Sequence, residues 1–395
     1  MERMGKSRRK FTKNGLALAM GLPLLGSQFL GCLNVESNAE SNAANKSYEI
    51  QSLKILILGG TSFLGPHQIA YAISRGHEVA TFTRGKTKPN VHQAIFRQVE
   101  SLVGDRNDDL KALENRSWDV VIDNSGHKAE WTKKSAELLK DKVDLYLYTS
   151  STGVYYPYLT SDITEDTKLV LKMPAGIDDE IMKMEYGYGV MKANSELETL
   201  KVFGEDRSII VRPTYMIGPA DKTDRFIYWP IRLARGGEVL VPGKIEDPVQ
   251  YMDVRDVAEW MIRLAEQKKV GTYNAVGPAT AQTMNAFVHE ASEAFDQDFS
   301  FIQVDDYEFL KENNIPYLVP WIMPEADNYG SSRISNKLCK NSGLKYRNLK
   351  DTIKETHDWW YSDALTAEQR DKFELKKDNL LLTEKEILKQ WKNRG

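Results

Sequence analysis

Lys54-Ile55-Leu56-Ile57-Leu58-Gly59-Gly60-Thr61-Ser62-Phe63-Leu64-Gly65 is an apolar run that stops at paired glycines. A helical pattern follows, Gln68-Ile69-Ala70-Tyr71-Ala72-Ile73-Ser74-Arg75, and closes at Gly76. Strand, glycine turn and helix in that order open a βαβ unit whose helix N-terminus faces the turn. Unpaired N–H groups and the helix dipole favour a phosphate there. Gly59 and Gly60 permit a sharp turn, and Gly65 lets the helix lie close to the sheet. The stretch reads as a dinucleotide pyrophosphate site built from Gly59, Thr61, Ser62, Phe63, Leu64 and Gly65. The alternative is an ordinary glycine turn in an α/β domain.

Outward from this unit the alternation continues. Strands are expected at Lys54–Leu58, Glu78–Thr83, Ile95–Glu100, Val120–Asp123, Leu145–Ser150 and Ser208–Arg212. Helical patterns fall between them, at Pro66–Arg75, Asp109–Leu113, Glu130–Leu139 and Met184–Val202. This order implies an α/β fold, a Rossmann-type doubly wound parallel sheet, with ligands at the C-terminal strand ends. It occupies residues 53–212. Residues 213–364 are less regular, with aromatic clusters and five prolines between Pro213 and Pro248. They read as a smaller C-terminal substrate lobe that returns to the sheet near Tyr273–Val276. In the tail, residues 365–395, Leu380, Leu381, Leu388 and Trp391 stand at helical spacing, as in a docked surface helix.

The N-terminal residues 1–33 stand apart from the fold. Ser7-Arg8-Arg9-Lys10-Phe11 precedes an uncharged, mildly apolar segment that ends in Phe29-Leu30-Gly31-Cys32. This resembles a twin-arginine export signal, with Cys32 as a lipoprotein processing site despite the atypical Phe29. Residues 34–52 form a polar linker. The expected location is the periplasm, or a membrane to which a lipidated Cys32 anchors the protein, with the twin-arginine machinery as a partner. A cytosolic protein with a basic leader is the alternative. Twin-arginine substrates generally cross folded, so a cofactor loaded in the cytoplasm would travel inside the protein.

Composition bounds the rest. With 395 residues, 41% of them hydrophobic, the chain has ample material for a large core. A net charge of −3 leaves no basic surplus for nucleic acid, so no nucleic-acid partner is expected. Two cysteines, Cys32 and Cys339, imply no disulfide framework. Six histidines without ligand spacing suggest no metal site, and His67 is expected to pack on the first helix turn.

The chemistry lies at the strand ends. No acid follows the second strand to bind a ribose 2′-hydroxyl; Arg84 stands there, suited to a 2′-phosphate or to stacking on adenine, unless it merely caps the strand. Asp105, after the third strand, is placed to accept from the adenine amino group. Asn124, after the fourth, lies where ribose and nicotinamide would run. Tyr188 and Lys192 stand four apart on one helix face, where Lys⁺ would lower the phenol's pKa for proton exchange with a substrate hydroxyl. Thr149-Ser150-Ser151-Thr152-Gly153-Val154-Tyr155 ends the fifth strand and presents a hydroxyl to the same point.

Together these residues resemble an extended short-chain dehydrogenase/reductase of the NAD-dependent epimerase/dehydratase group, from about Leu53 to Tyr361. Val211-Arg212-Pro213, Gly218-Pro219 and Asp253-Val254-Arg255-Asp256-Val257-Ala258 extend the match. The resemblance implies Tyr188 as acid/base, Lys192 as its electrostatic partner bonding the nicotinamide ribose, and Ser151 bonding the substrate oxygen. NAD or NADP is the implied cofactor. Two departures stand out: Ser62 replaces the usual glycine, and Thr152-Gly153 replaces the Asp-Glu pair of sugar 4,6-dehydratases, so that this dehydration is not expected.

For the lobe, Arg225, Tyr228, Trp229, Arg232 and Arg235 are candidates to hold a carbohydrate, with Thr152 beside them; core packing is the competing reading for the aromatics. Gln250, Asp253 and Arg255 are expected at the junction between lobes. The expected activity is an epimerase-like oxidation and re-reduction of a carbohydrate hydroxyl with a tightly held, internally recycled cofactor, with a homodimer as a candidate assembly. A net oxidoreductase of a sugar or other alcohol, and a non-catalytic dinucleotide- or RNA-binding module, are the alternatives.

Overall fold

The fold was analysed in a computed structural model, which describes residues 51–221 and 223–394. Arg8, Arg9 and Cys32 lie outside the described residues. The described residues form one compact unit.

Strands β1 (Lys54–Leu58), β2 (Glu78–Thr83), β3 (Glu100–Val103), β4 (Trp118–Asp123), β5 (Val143–Thr149) and β6 (Ser208–Pro213) form most of the main sheet. After β7 (Met216–Ile217), β8 (Gly237–Pro242) and β9 (Pro248–Asp253), the chain returns to that sheet with β10 (Gly271–Ala275). The seven strands lie in the order β3-β2-β1-β4-β5-β6-β10, every neighbouring pair parallel. The return near Tyr273 is therefore an edge strand beside β6. The order reverses between β1 and β4, and a crevice opens beyond their C-terminal ends.

β1 explains why its sequence is apolar without alternation. Ile55 and Ile57 pack against α1 (Leu64–Ser74) and α5 (Val254–Glu266), while Leu56 and Leu58 pack with Val121, Tyr146 and Tyr148 on the other face. A strand covered on both faces buries both sets of side chains. Each buried Ile or Leu contributes about 1.5–3 kcal/mol. α2 (Ala129–Leu139) and α3 (Glu180–Phe203) cover the second face through Ala136, Leu139 and Phe203.

Two elements differ from expectation. Residues Gln93–Gln98 form a 3-10 helix and the third strand starts at Glu100, because Ile95 and Phe96 turn back onto the cluster around β1 instead of alternating across a sheet edge. The helix expected at Asp109–Leu113 shrinks to one 3-10 turn at Lys111–Leu113.

The lobe centres on α4 (Tyr228–Ala234), whose Trp229 and Leu233 are buried with Phe226, Phe287 and Trp321. Around it stand β11 (Gly277–Thr283), α6 (Met284–Ser292), β12 (Phe299–Val304) and α7 (Tyr307–Glu312). Next come α8 (Lys337–Asn341), α9 (Leu349–Trp360), α10 (Ala367–Glu374) and α11 (Leu380–Lys392). The last of these docks by Leu381, Ile387 and Leu388. Gln250 and Asp253 tie the layers together. The Gln250 side chain exchanges two bonds with the Ile334 backbone, and Asp253 caps α5 while accepting from Thr352 at 2.7 Å.

Candidate functional site

The turn after β1 has no room for a side chain at its glycines. At Gly59, φ is +85° and a Cβ would lie 2.6 Å from the Ser125 Cβ. At Gly65, a Cβ would lie 2.5 Å from the Gly60 carbonyl, so the helix start presses on the turn itself. Phe63 occupies the N-cap of α1, and no side chain caps the first turn. The Gly65 N–H returns to the Ser62 carbonyl at 3.1 Å, leaving the Ser62 side chain exposed. An uncapped helix N-terminus of this kind suits an anion.

From this turn a cavity of about 380 Å³ runs past the ends of β2, β3, β4 and β5, and its lining includes Thr61, Ser62, Phe63, Leu64, Arg84, Asp105, Asn124, Tyr188 and Lys192. Sequence-distant candidates thus share one wall. Asn124 is locked in place: its Oδ1 accepts from Thr149 at 2.7 Å and its Nδ2 donates to Gln68 at 2.7 Å, joining β4, β5 and α1. Asp105 accepts from the Asn107 N–H at 2.9 Å.

Asp179 caps α3 by accepting from the Met182 N–H at 2.8 Å, and the helix runs 24 residues to Gly204, which has φ 72°. Gly189 lets it press on the Gly153 carbonyl, where any Cβ would collide. That contact sets Tyr188 against the turn holding Ser151, whose Oγ accepts from the Gly153 N–H at 3.0 Å. Lys192, one turn on, is 4% exposed and donates to the Thr149 carbonyl at 2.9 Å.

The electrostatics differ from the expectation. Although Tyr188 is 42% exposed, its phenol is pushed up by burial among protein atoms, with Ser151 and Arg225 only partly offsetting this. The Lys192 amine is spent on a backbone carbonyl, and the protein alone therefore does not lower the phenol's pKa. Burial holds Lys192 down to about 8, against the pull of Asp123 and Glu196.

Four lobe-side candidates separate. Arg225 remains near the site: its guanidinium lies 5.3 Å from the centre of the Tyr215 ring and its charge reaches Tyr188. Thr152 is buried with its hydroxyl 3.4 Å from the Pro213 carbonyl, so it faces the interior. Tyr228 is 3% exposed and donates to Glu384 at 3.0 Å, inside the lobe core. Arg235 turns to the tail, meeting Glu374 at 3.4 Å. Their placement at Thr152, Tyr228 and Arg235 as substrate ligands is thereby corrected. Trp229 and Arg232 are likewise core groups, Trp229 donating to the Val319 carbonyl at 3.0 Å and Arg232 pairing with Glu384.

Sequence reasoning missed Arg106. Buried at 5% exposure, it lines the cavity and makes a bidentate pair with Asp123, the last residue of β4, which also accepts from Tyr146 at 2.9 Å. A lone acid ending Val120-Val121-Ile122-Asp123 and an arginine ending Gly104-Asp105-Arg106 were the available signals. His67, in the first turn of α1, reaches away from that turn: its Nε2–H donates to Pro219 O and its Nδ1 accepts from His92, both at 3.1 Å, and burial lowers its pKa to about 4. Among the described residues, no group of three or more acidic, His or Cys side chains is placed to hold a metal, and no helix is long and apolar enough to cross a membrane.

The tightly packed glycine turn, the uncapped helix end and a cavity leading to Tyr188 fit a nicotinamide dinucleotide. Residues 55–276 match the NAD dependent epimerase/dehydratase family. The chain belongs to that family. The Arabidopsis thaliana chloroplast stem-loop binding protein of 41 kDa b is 30% identical over 228 residues, which span 55% of this chain and 56% of that protein. The chain thus matches little more than half the length of this curated relative.

Solved structures share the fold. The Bordetella bronchiseptica enzyme WbmH in complex with NAD+ is similar with a TM-score of 0.56 at 14% identity, covering 80% of this chain and 100% of that one. The UDP-N-acetylglucosamine 4-epimerase of Methanobrevibacter ruminantium gives 0.56 at 17% identity, covering 78% and 98%.

Proposed function

We propose that this protein is an exported epimerase-like enzyme that oxidises a carbohydrate hydroxyl and reduces it again with a tightly held, internally recycled dinucleotide. The observation that carries the reading is one cavity with the glycine turn at one end and Tyr188 and Lys192 at the other, with Ser151 hydrogen-bonded to Tyr188. When bound, the dinucleotide supplies hydride acceptance and return. Ser151 orients the substrate oxygen, and Tyr188 takes its proton and gives it back after the carbonyl has presented its other face. Arg225, beside Tyr188, suits a phosphate or carboxylate on the substrate. That similarly folded proteins are UDP-sugar epimerases supports a nucleotide-linked sugar.

Arg84 and Lys86 at the end of β2, with no acid beside them, support NADP over NAD. Arg8-Arg9 supports export, and Cys32 supports a lipid anchor. A recycled cofactor suits an exported enzyme, because the periplasm has no ready supply of free dinucleotide. Homodimers fit the same reading. Mass spectrometry of the ligand released from purified protein tests cofactor and retention together; protein that emerges from gel filtration without dinucleotide rejects tight retention. Steady net change of absorbance at 340 nm during turnover would instead favour a simple oxidoreductase. For location, Cys32→Ala is expected to free the protein from the membrane fraction.

One observation favours a second reading. The Arabidopsis relative is a stem-loop binding protein by name. Retention of both Tyr188 and Lys192, and the net charge of −3, weigh toward catalysis. Salt-sensitive binding of a stem-loop RNA by the purified chain, unaffected by Tyr188→Phe, would reverse that balance.

A further inference from the structure

One acid beside Tyr188 has no mate. Glu185 stands a helical turn before Tyr188 on α3, and with Lys192 the three fall at i, i+3 and i+7 on one face. Tyr188 lines the cavity, so Glu185 extends that wall by one turn toward the start of the helix. It is half-buried and, among the described residues, forms neither a hydrogen bond nor an ion pair. Burial pushes its carboxyl up, and Arg225 pulls it back only in part. Arg225 is held apart, stacked on Tyr215 at 5.3 Å and donating to the Thr223 hydroxyl at 3.0 Å. Both charges are felt at the phenols of Tyr188 and Tyr215, and that of Glu185 also at Tyr158. One acid and one base thus flank the same two phenols without meeting. A partly desolvated carboxylate is costly until a counter-charge answers it.

We propose that Glu185 is a specificity-determining residue that binds a free ammonium group, which makes the substrate a nucleotide-linked amino sugar. This rests on the epimerase reading above and adds to it a choice of sugar. Residues three apart on a helix hold their Cβ atoms about 5–6 Å from each other. That separation suits a hydroxyl at Tyr188 and an amine two ring carbons away. The ammonium gains a counter-charge from Glu185 and electron-rich faces from the tyrosine rings beside it. Arg225 is left for a phosphate of the nucleotide. A hydroxyl or an acetylated amine at the same ring position brings a donor but no charge, and leaves the carboxylate unanswered.

The test is calorimetric binding of UDP-glucosamine, UDP-glucose and UDP-N-acetylglucosamine to the purified full chain, with NAD+ or NADP+ present and at a mildly acidic pH that keeps the amine protonated. Wild-type protein is expected to bind the free amine about 10- to 100-fold tighter than either neutral sugar. Glu185→Gln keeps the shape, removes the charge, and is expected to bring the three affinities together. Equal wild-type affinities, or a gap unchanged in Glu185→Gln, overturn the proposal. Should circular dichroism show Glu185→Gln unfolded, Glu185→Asp decides, because it keeps the charge and withdraws it by one methylene: a narrowed gap supports Glu185, and an unchanged one overturns it. A chain that binds none of the three rejects the nucleotide-linked sugar itself, a different outcome from binding all three alike.

Discussion

Helices α3 and α4 carry the same short pattern, a tyrosine with a basic residue four positions on. In α3 it is Tyr188 and Lys192; in α4 it is Tyr228 and Arg232. What separates them is a third group. Glu384 of α11 accepts from Tyr228 at 3.0 Å, pairs with Arg232 and also accepts the Leu240 N–H at 2.8 Å. That cluster is closed, and its charges answer one another inside the lobe. No carboxylate closes the first pair: Lys192 rests on a backbone carbonyl and Tyr188 opens on a cavity. A phenol and a cation on one helix face become a structural staple or a reactive site according to whether an acid from elsewhere completes them.

The comparison breaks most decisively at the phenol. Tyr188→Phe is expected to reduce turnover about a hundred- to ten-thousand-fold while dinucleotide stays bound, as read by kinetics beside mass spectrometry of the released ligand. Unchanged activity would remove Tyr188 as the acid/base. In the closed cluster the effect should fall on stability instead. Glu384→Ala strands the buried Arg232 charge and is expected to cost about 3–5 kcal/mol in chemical denaturation, with activity per folded molecule retained.

A smaller effect separates the two cations by pH. Lys192 is held down to about 8, below its ordinary value of 10.5. Between those values the unfolded chain binds the proton and the folded one does not, so this group adds stability as pH rises from about 8 to 10.5. Denaturation midpoints across that range should rise less in Lys192→Met than in the wild type. The smallest effect is expected at the rim of the closed cluster, where Arg235 is 3.4 Å from Glu374 and 44% exposed. Arg235→Ala should change stability by about 1 kcal/mol or less.

Much of this was legible because it is local. The β1 run, the glycine turn and the start of α1 are contiguous, and β1 and β2 occupy the residues expected of them. Tyr188 and Lys192 were legible because helix periodicity places them together. β3 was not: it is a four-residue edge strand with Glu100, Ser101 and Val103 exposed, so it carries no apolar alternation. Nor was the fate of Tyr228 and Arg235 legible. Tyr228 finds its acid 156 positions away, and nothing near it marks that acid. Arg106 falls between these cases, since its own segment was read but its partner Asp123 was taken only as a strand end.

The distance between Arg232 and Glu384 also sets a clock. The two are 152 residues apart in sequence. At a synthesis rate of about 5–20 residues per second, 152 residues is about 8–30 seconds of translation during which Arg232 has no counter-charge. The Tyr188 and Lys192 pair, by contrast, emerges within one helical turn. The redox half of the protein can therefore mature ahead of the lobe, and the lobe closes only when α11 arrives.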